Sequence, residues 1–376
     1  MKSVSRPTGG SDTGSRGSKD SRSIILLVPG FPPNEAATDC LPALGSFVKA
    51  LTGRNPHIAI HVIAFQYPFE SGRYAWHGAT VHALAGRNRR FPMRLATWLR
   101  AAWRAWRLAR WHRVVALHSH WFSECAYVAS WLARLTGAPH IVTIHGQDAL
   151  SDNPYFRRLP RLPLDGTTIT ACSDKAAAAF HGSTGRSVDH VVPIGLEPEA
   201  RAAPRGTAAR SVDIIDILGV GSLSPAKNFA VFIEIVAELA ASDGALRSVI
   251  VGDGPERPLL EASIQRRGLE DVVRLAGHLP REQVLTTMRR SRILLHTARY
   301  EGQGYVFLEA LASGMRVVCH DVGYTGNGTG VYRCESNAEM TDALRKLLRS
   351  PMDPLEVNVP GIDETAEAFE KIYGIL

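Results

Sequence analysis

The chain reads as an α/β protein of two doubly wound, Rossmann-like domains facing each other across a cleft. Three observations predict this. Short β-branched apolar runs alternate with helical patterns along the whole chain, as parallel sheets covered by helices require. At 376 residues the chain is too long for one ordinary core. Between its halves, Glu197 to Ser211 (EPEARAAPRGTAARS) has no apolar period and reads as an interdomain linker.

Residues 1–22 are rich in Ser, Gly and charge, lack an apolar signal core and read as a disordered tail. The first domain, 23–196, is expected to hold strands at Ile24–Val28, Ile58–Phe65, Val114–Leu117, Ile141–Ile144, Thr168–Ala171 and His190–Val192. Its helical patterns fall at Leu41–Leu51, Met93–Trp111, Glu124–Leu135 and Asp174–His181. The second domain, 212–360, is expected to hold strands at Ile214–Leu218, Ser248–Val251, Val272–Leu275, Ile293–His296 and Val317–Cys319. Helices there include Phe229–Ala241, Pro258–Arg267, Glu282–Arg290 and Tyr305–Ser313, the last stopped by Gly314. No repeat of solenoid period occurs. Ligands of such sheets bind beyond the C-terminal ends of the strands, so residues just after strands are the ones to weigh.

Composition is ordinary for a globular protein, 45% apolar and 21% charged, and no apolar run is long enough to span a bilayer. The five cysteines are scattered, with no Cys-x-x-Cys pair, and read as reduced thiols of a cytoplasmic protein. Charge is uneven. Residues 71–123 hold ten Arg and no Asp, Glu or Lys, a local +10 against +7 for the whole chain. Within this stretch, the helix Met93–Trp111 places Leu95, Trp98, Leu99, Ala102 and Trp106 on one face. Arg100, Arg104, Arg107 and Trp111 fall on the other. The expectation is that the apolar face packs on the sheet and the three Arg face an anionic membrane surface, peripheral on its inner side.

The segment Glu301-Gly302-Gln303-Gly304-Tyr305-Val306-Phe307-Leu308-Glu309, continuing to Val318, carries most of the chemistry. Gly302 and Gly304 permit close backbone approach to a ligand. The helix start that follows, at Tyr305, offers N–H groups and a positive dipole end to a phosphate. Glu309 lies about a turn inside, able to accept from ribose hydroxyls; Glu301, before the helix, is able to meet a sugar. A second turn, Val220-Gly221-Ser222-Leu223-Ser224-Pro225-Ala226-Lys227-Asn228, puts a glycine, a lysine and a helix start after a strand, which suits a diphosphate.

The pattern EGxGYVxLEAxASGxxVV closely resembles the sugar-nucleotide site of retaining glycosyltransferases of family 4, which have the GT-B fold. The likeness runs from about Ile24 to Val322. It implies that Glu301, Gly302, Gln303, Gly304, Tyr305 and Glu309 hold the donor, with His278 and Leu279 at the nucleobase. It also implies that Lys227 binds the diphosphate, with Ser222 standing where the family has Arg. In the first domain His145-Gly146-Gln147-Asp148 resembles the family's His-Gly-x-Asp, which puts His145 beside the transferred sugar. His120 is a cleft-wall candidate, His118 a core residue, and Asn34 lies in the acceptor-facing loop after the first strand. Residues 361–376 correspond to a last helix that returns to the first domain.

The implied reaction is retaining transfer from a UDP- or GDP-sugar to a hydroxyl of a glycan or lipid-linked acceptor, as in bacterial surface polysaccharide or glycolipid assembly. His118, His120 and His145 have Asp148 as the only acid close by and no cysteine at ligand spacing, and no Asp-x-Asp occurs, so neither a metal nor a cofactor is expected. Two alternatives remain open: a sugar-nucleotide epimerase of the same fold, and a basic nucleic-acid-binding protein. The second lacks any recognisable nucleic-acid motif, so no nucleic-acid partner is expected.

Overall fold

A computed structural model describes residues 21–201, 214–242, 246–324, 328–351, 355 and 357–376. Residues 1–20 of the expected tail and most of the expected linker lie outside the described residues. In chain order the first domain contains β1 (Arg22–Gly30), α1 (Pro42–Arg54), β2 (Ala59–Tyr67), β3 (Gly72–Trp76), β4 (Ala79–Ala83) and α2 (Met93–Trp111). It continues with β5 (Arg113–His120), α3 (Glu124–Thr136), β6 (His140–Ile144), β7 (Thr167–Ala171), α4 (Asp174–Thr184) and β8 (His190–Val191). The second holds α5 (Pro198–Arg201), β9 (Ile215–Val220), α6 (Phe229–Ala240), β10 (Ser248–Val251), α7 (Arg257–Arg266), β11 (Val273–Gly277) and α8 (Arg281–Arg289). Then follow β12 (Ser291–His296), α9 (Tyr305–Ala312), β13 (Arg316–Cys319), β14 (Val331–Arg333), α10 (Asn337–Arg349) and α11 (Ile362–Tyr373).

The strands form two sheets, ordered β3-β4-β2-β1-β5-β6-β7-β8 and β11-β10-β9-β12-β13-β14. Every pairing is parallel except β3 with β4. In each sheet the first strand lies centrally: β1 between β2 and β5, β9 between β10 and β12. Strand order reverses there, so the following loops splay apart and leave a crevice. These strands are buried on both faces, as in Ile24–Val28, because helices cover both sides. Several elements were not read from the sequence. The hairpin β3–β4 is short and only half apolar, β14 has three residues, α5 is a single turn at the start of the expected linker, and α10 lies beyond the motif-bearing region.

The face of α2 that meets the sheet is only partly the expected one: Trp98 and Ala102 pack against the core, but they flank it rather than centre on it. Thr97, Ala101 and Ala105, spaced four apart, are the buried positions. Ala101 and Ala105 pack with Ile25, Leu27, Phe65 and Leu117 of the sheet. Small side chains let the helix axis sit close to the strands, so the bulky residues Leu95, Leu99 and Trp106 are left exposed. The Arg expectation changes with it. Arg100 donates to the Leu84 carbonyl at 3.0 Å and Arg104 is half-buried, so of the three named arginines Arg107 stands most freely in solvent.

The two domains are clasped by α11, which packs on α1. Phe369 and Tyr373 join the first domain's core, with the Phe369 ring 5.1 Å from that of Phe47. Glu370 is the polar anchor. It accepts from Arg54 Nε and Nη2 at 2.9 and 2.7 Å, and from Asn55 Nδ2 at 2.6 Å. Burial raises its pKa, but the Arg54 and Asn55 hydrogen bonds outweigh that and hold it below the ordinary carboxylate value. Its stabilisation is therefore present above the unfolded-state carboxylate pKa and is lost as pH falls through the lower folded value. Glu370→Ala leaves a buried amide and a guanidinium without their acceptor, and about 2 kcal/mol of stability should be lost in denaturant titrations. An unchanged midpoint and slope would show that α11 is held by its apolar face alone.

Candidate active site

Three groups of side chains meet where the two sets of strand ends face each other. The first is the loop after β6. Asp148 fixes it by accepting from the backbone N–H groups of Gly146 and Phe122 at 2.7 Å each and of His145 at 3.0 Å. Burial pushes the Asp148 pKa up to about 6 against those hydrogen bonds. His145 stacks on Trp121 at 4.1 Å, and its Nε2 lies 2.9 Å from His120 Nδ1. Burial lowers the His145 pKa to about 3, so the ring is neutral near pH 7. His120 is 1% exposed, which removes it from the cleft wall; it stands behind His145 as a support. His118 is fully buried, 2.6 Å from the Tyr373 hydroxyl and 2.7 Å from Thr143 Oγ1.

The second group surrounds Glu301, just after β12. Lys227 Nζ donates to its carboxylate, and His296 Nε2 lies 3.2 Å away. Burial raises the Glu301 pKa, but His296 and Lys227 outweigh it and bring it to about 2. Gly302 does not simply open space for a ligand. A β-carbon built on it would stand 1.9 Å from the His145 carbonyl oxygen. Its own carbonyl accepts from Ser173 Oγ at 2.5 Å, and Tyr300 Oη donates to the Gly146 carbonyl at 2.7 Å. The segment thus docks backbone to backbone on the first domain. Gln303 turns away from the cleft, both ends of its amide bonded to the Ile194 backbone, at 2.6 and 2.9 Å. Gly304, at φ 70°, precedes α9 in the left-handed region that favours glycine. Tyr305 Oη reaches the Gly195 carbonyl at 3.3 Å.

The third group lines a cavity of about 390 Å³ with Ser222, His278, Leu279, Arg281 and Glu309. Arg281 Nε lies 3.1 Å from Glu309 and Nη1 lies 3.0 Å from Glu197, while its guanidinium sits over the Tyr305 ring at 5.8 Å. Burial raises the Glu309 pKa, opposed by Arg281. His278 reaches Asp39 of the first domain at 3.0 Å. Ser222 is exposed, its Oγ 3.2 Å from that of Ser224. A larger cavity of about 760 Å³ spans the domains, with Glu124, Asp148 and Tyr155 on one side and Asn228, Arg299 and Tyr300 on the other. Lys227 stands between the two. Asn228, next in the chain, lines the larger cavity, and Gly221, 3.4 Å from the Lys227 side chain when built with a β-carbon, lines the smaller.

Asn34 does not line either cavity. Its Oδ1 accepts from Ala36 and Ala37 N–H at 3.0 and 3.1 Å, closing its own turn. Arg281 and His296 were missed. His296 ends a strand, the criterion that selected His145. Arg281 opens a helix like any surface arginine, and its partner Glu197 is remote in sequence. Among the described residues no three His, Cys, Asp or Glu side chains are grouped to hold a metal ion. The cysteines are free thiols, and all but Cys40 are buried. No described helix is long and apolar enough to cross a membrane.

The arrangement offers a nucleoside-sized cavity, a cation with an adjacent helix start, an ionised carboxylate and a neutral imidazole, in that spatial order. The chain is similar to known proteins in sequence and in fold. Residues 209–355 match the family model for glycosyl transferases group 1, and residues 38–215 match a glycosyl transferase 4-like domain. Alpha-D-kanosaminyltransferase of Streptomyces kanamyceticus is 26% identical over 63% of this chain and 68% of its own. The 2-deoxystreptamine glucosyltransferase of the same organism is 29% identical over 51% of this chain, which spans 55% of that relative's length. In three dimensions, HepE of Anabaena in complex with UDP superposes with a TM-score of 0.63 at 16% identity, covering 93% of this chain and 95% of its own. An alpha,alpha-trehalose-phosphate synthase (UDP-forming) from Burkholderia vietnamiensis gives 0.62 at 16% identity over 94% and 96%. With the two family models in tandem over residues 38–355 of this two-sheet fold, the chain belongs to the glycosyltransferases of the GT-B fold.

Proposed function

We propose that the chain is a retaining, metal-independent glycosyltransferase that moves a sugar from a UDP- or GDP-sugar to an acceptor hydroxyl, in surface polysaccharide or glycolipid assembly. The observation that carries this reading is the position of Lys227 between the two cavities. The nucleoside occupies the smaller cavity, with its ribose at Glu309, and the acceptor enters the larger one. The diphosphate joining nucleoside to sugar then lies along Lys227 and the first turn of α9, where positive charge favours it. As the bond from the sugar's anomeric carbon to the phosphate oxygen breaks, its electron pair leaves with the diphosphate. The acceptor oxygen forms the new bond on the same face, and its proton passes to the departing phosphate. Glu301 and the neutral His145 face the sugar and stabilise the positive charge and hydroxyls of the transition state. Relatives named for kanosaminyl and glucosyl transfer, and a HepE structure that holds UDP, support the donor class.

Two outcomes test this. Glu309→Gln should weaken nucleotide binding about tenfold, because a ribose hydroxyl loses a charged acceptor and Arg281 loses a partner. The stabilisation of thermal unfolding by UDP or GDP, titrated in wild type and variant, measures it; equal affinities would remove Glu309 from the site. Transfer from a UDP- or GDP-sugar should continue in excess chelator, since Lys227 and backbone amides supply the charge a metal gives elsewhere. Loss in chelator that added Mg²⁺ or Mn²⁺ restores would overturn metal independence.

A further inference from the structure

The first domain carries a face that the transfer chemistry does not use. Fourteen large apolar side chains stand exposed among the described residues, and nine of them lie between Phe91 and Leu135. On α2, Leu95, Leu99, Trp103 and Trp106 project from the side opposite Thr97, Ala101 and Ala105, with Leu99 62% and Trp103 51% exposed. Phe91, just ahead of the helix, is 77% exposed, and neighbouring α3 adds Trp131 and Leu135. Single exposed apolar residues are ordinary, but a ridge along three turns of one helix marks a surface built to be covered.

Charge decides what covers it. Arg107 lies over the Trp103 ring at 4.8 Å and Arg110 over the Trp106 ring at 5.2 Å. No acid occurs anywhere from 71 to 123. A second copy of this face would bring like charge against like charge across the contact. An anionic bilayer suits both features: the acyl boundary accepts Leu and Trp, and the headgroups accept the arginines beside them.

We propose that α2 is an in-plane membrane anchor, seated on an anionic bilayer by insertion of Leu95, Leu99, Trp103 and Trp106, with Arg107 and Arg110 at headgroup level. Three of these four, Leu95, Leu99 and Trp106, are side chains that the sequence pattern assigned to the sheet. One consequence rests on the transferase reading. The ring of Trp98, on α2, lies 6.4 Å from that of Tyr155, which lines the 760 Å³ cavity, and Asn88, shortly before α2, lines it too. A helix lying in the interface brings that cavity to the membrane, so the acceptor hydroxyl is borne on a lipid.

The test uses the full chain with vesicles of phosphatidylcholine, with and without phosphatidylglycerol. Wild type should co-sediment with the anionic vesicles, and acyl-chain-brominated lipid should quench its tryptophan fluorescence. Leu99→Glu with Trp106→Glu, both exposed positions outside the cavities, should lower the bound fraction about tenfold or more and leave the thermal shift by UDP or GDP unchanged. Arg107→Gln with Arg110→Gln should remove the preference for anionic over neutral vesicles. Equal retention of wild type by both vesicle types overturns the proposal, as does binding without quenching, which would mean headgroup adsorption alone. A concentration-dependent dimer in sedimentation velocity, abolished by the Leu99 and Trp106 substitutions, would make the face a self-interface instead. Vesicle binding that persists in a protein unable to bind any nucleotide sugar would sink the transferase reading and leave the anchor standing.

Discussion

Replacing Glu301 by Gln is expected to lower kcat about a hundredfold or more, while nucleotide affinity holds or rises. The charge of Glu301 is secured by its neighbours: Lys227 and His296 bring its pKa to about 2 from 4.5, despite burial. It is therefore ionised over the whole working range and contributes no limb to the pH–rate profile. Its stabilising effect is fully present above the unfolded-state value and fades only as pH falls toward about 2. Gln is isosteric but removes the charge that faces the sugar as positive charge develops there. It also releases Lys227 from its carboxylate partner, leaving the ammonium freer for a diphosphate. The signature is a fall in kcat without a matching rise in the dissociation constant for UDP or GDP. A variant that keeps its turnover would make Glu301 a structural counter-ion for Lys227 and nothing more.

The fold was legible because buried parallel strands are nearly continuous apolar runs, and loop glycines separate them from helices. Ser248–Val251 and Met93–Trp111 were bounded correctly on that basis. The candidate site's location was legible where it follows a strand end: His145, Lys227 and Glu301, picked out in the sequence, come together in one cleft. What the sequence concealed depends on pairing across distance. Glu370 with Arg54, Arg281 with Glu197, and Gln303 with Ile194 join residues more than 80 positions apart, and no local pattern encodes them. The side of α2 that packs was misread for another reason. A hydrophobic period finds the bulkiest stripe, whereas close approach of a helix to a sheet selects the smallest. His120 and Asn34 were placed near the right loops, but position along a strand or turn does not say which way a side chain points.

The contact at Gly302 sets up the second large effect. A β-carbon there would stand 1.9 Å from the His145 carbonyl oxygen and 2.6 Å from the Gly146 α-carbon. Both neighbours are backbone, and the His145 loop is pinned by the three N–H groups that Asp148 accepts. Neither side has a flexible end that can yield, so Gly302→Ala must push the domains apart or break the Ser173 and Tyr300 hydrogen bonds that close them. The clash lies between domains and within neither core, so the variant should fold and unfold near the wild-type temperature. Separation by even an ångström moves His145 from the sugar held at Glu301, and misplacement on that scale costs about a hundredfold in rate. Transfer by Gly302→Ala should therefore fall about a hundredfold or further, with nucleotide binding reduced much less. Small-angle scattering of the nucleotide-bound protein should show a larger radius of gyration than wild type. Wild-type transfer rates in Gly302→Ala would mean that chemistry proceeds with the domains apart, and that the backbone contact is a resting state which catalysis does not require.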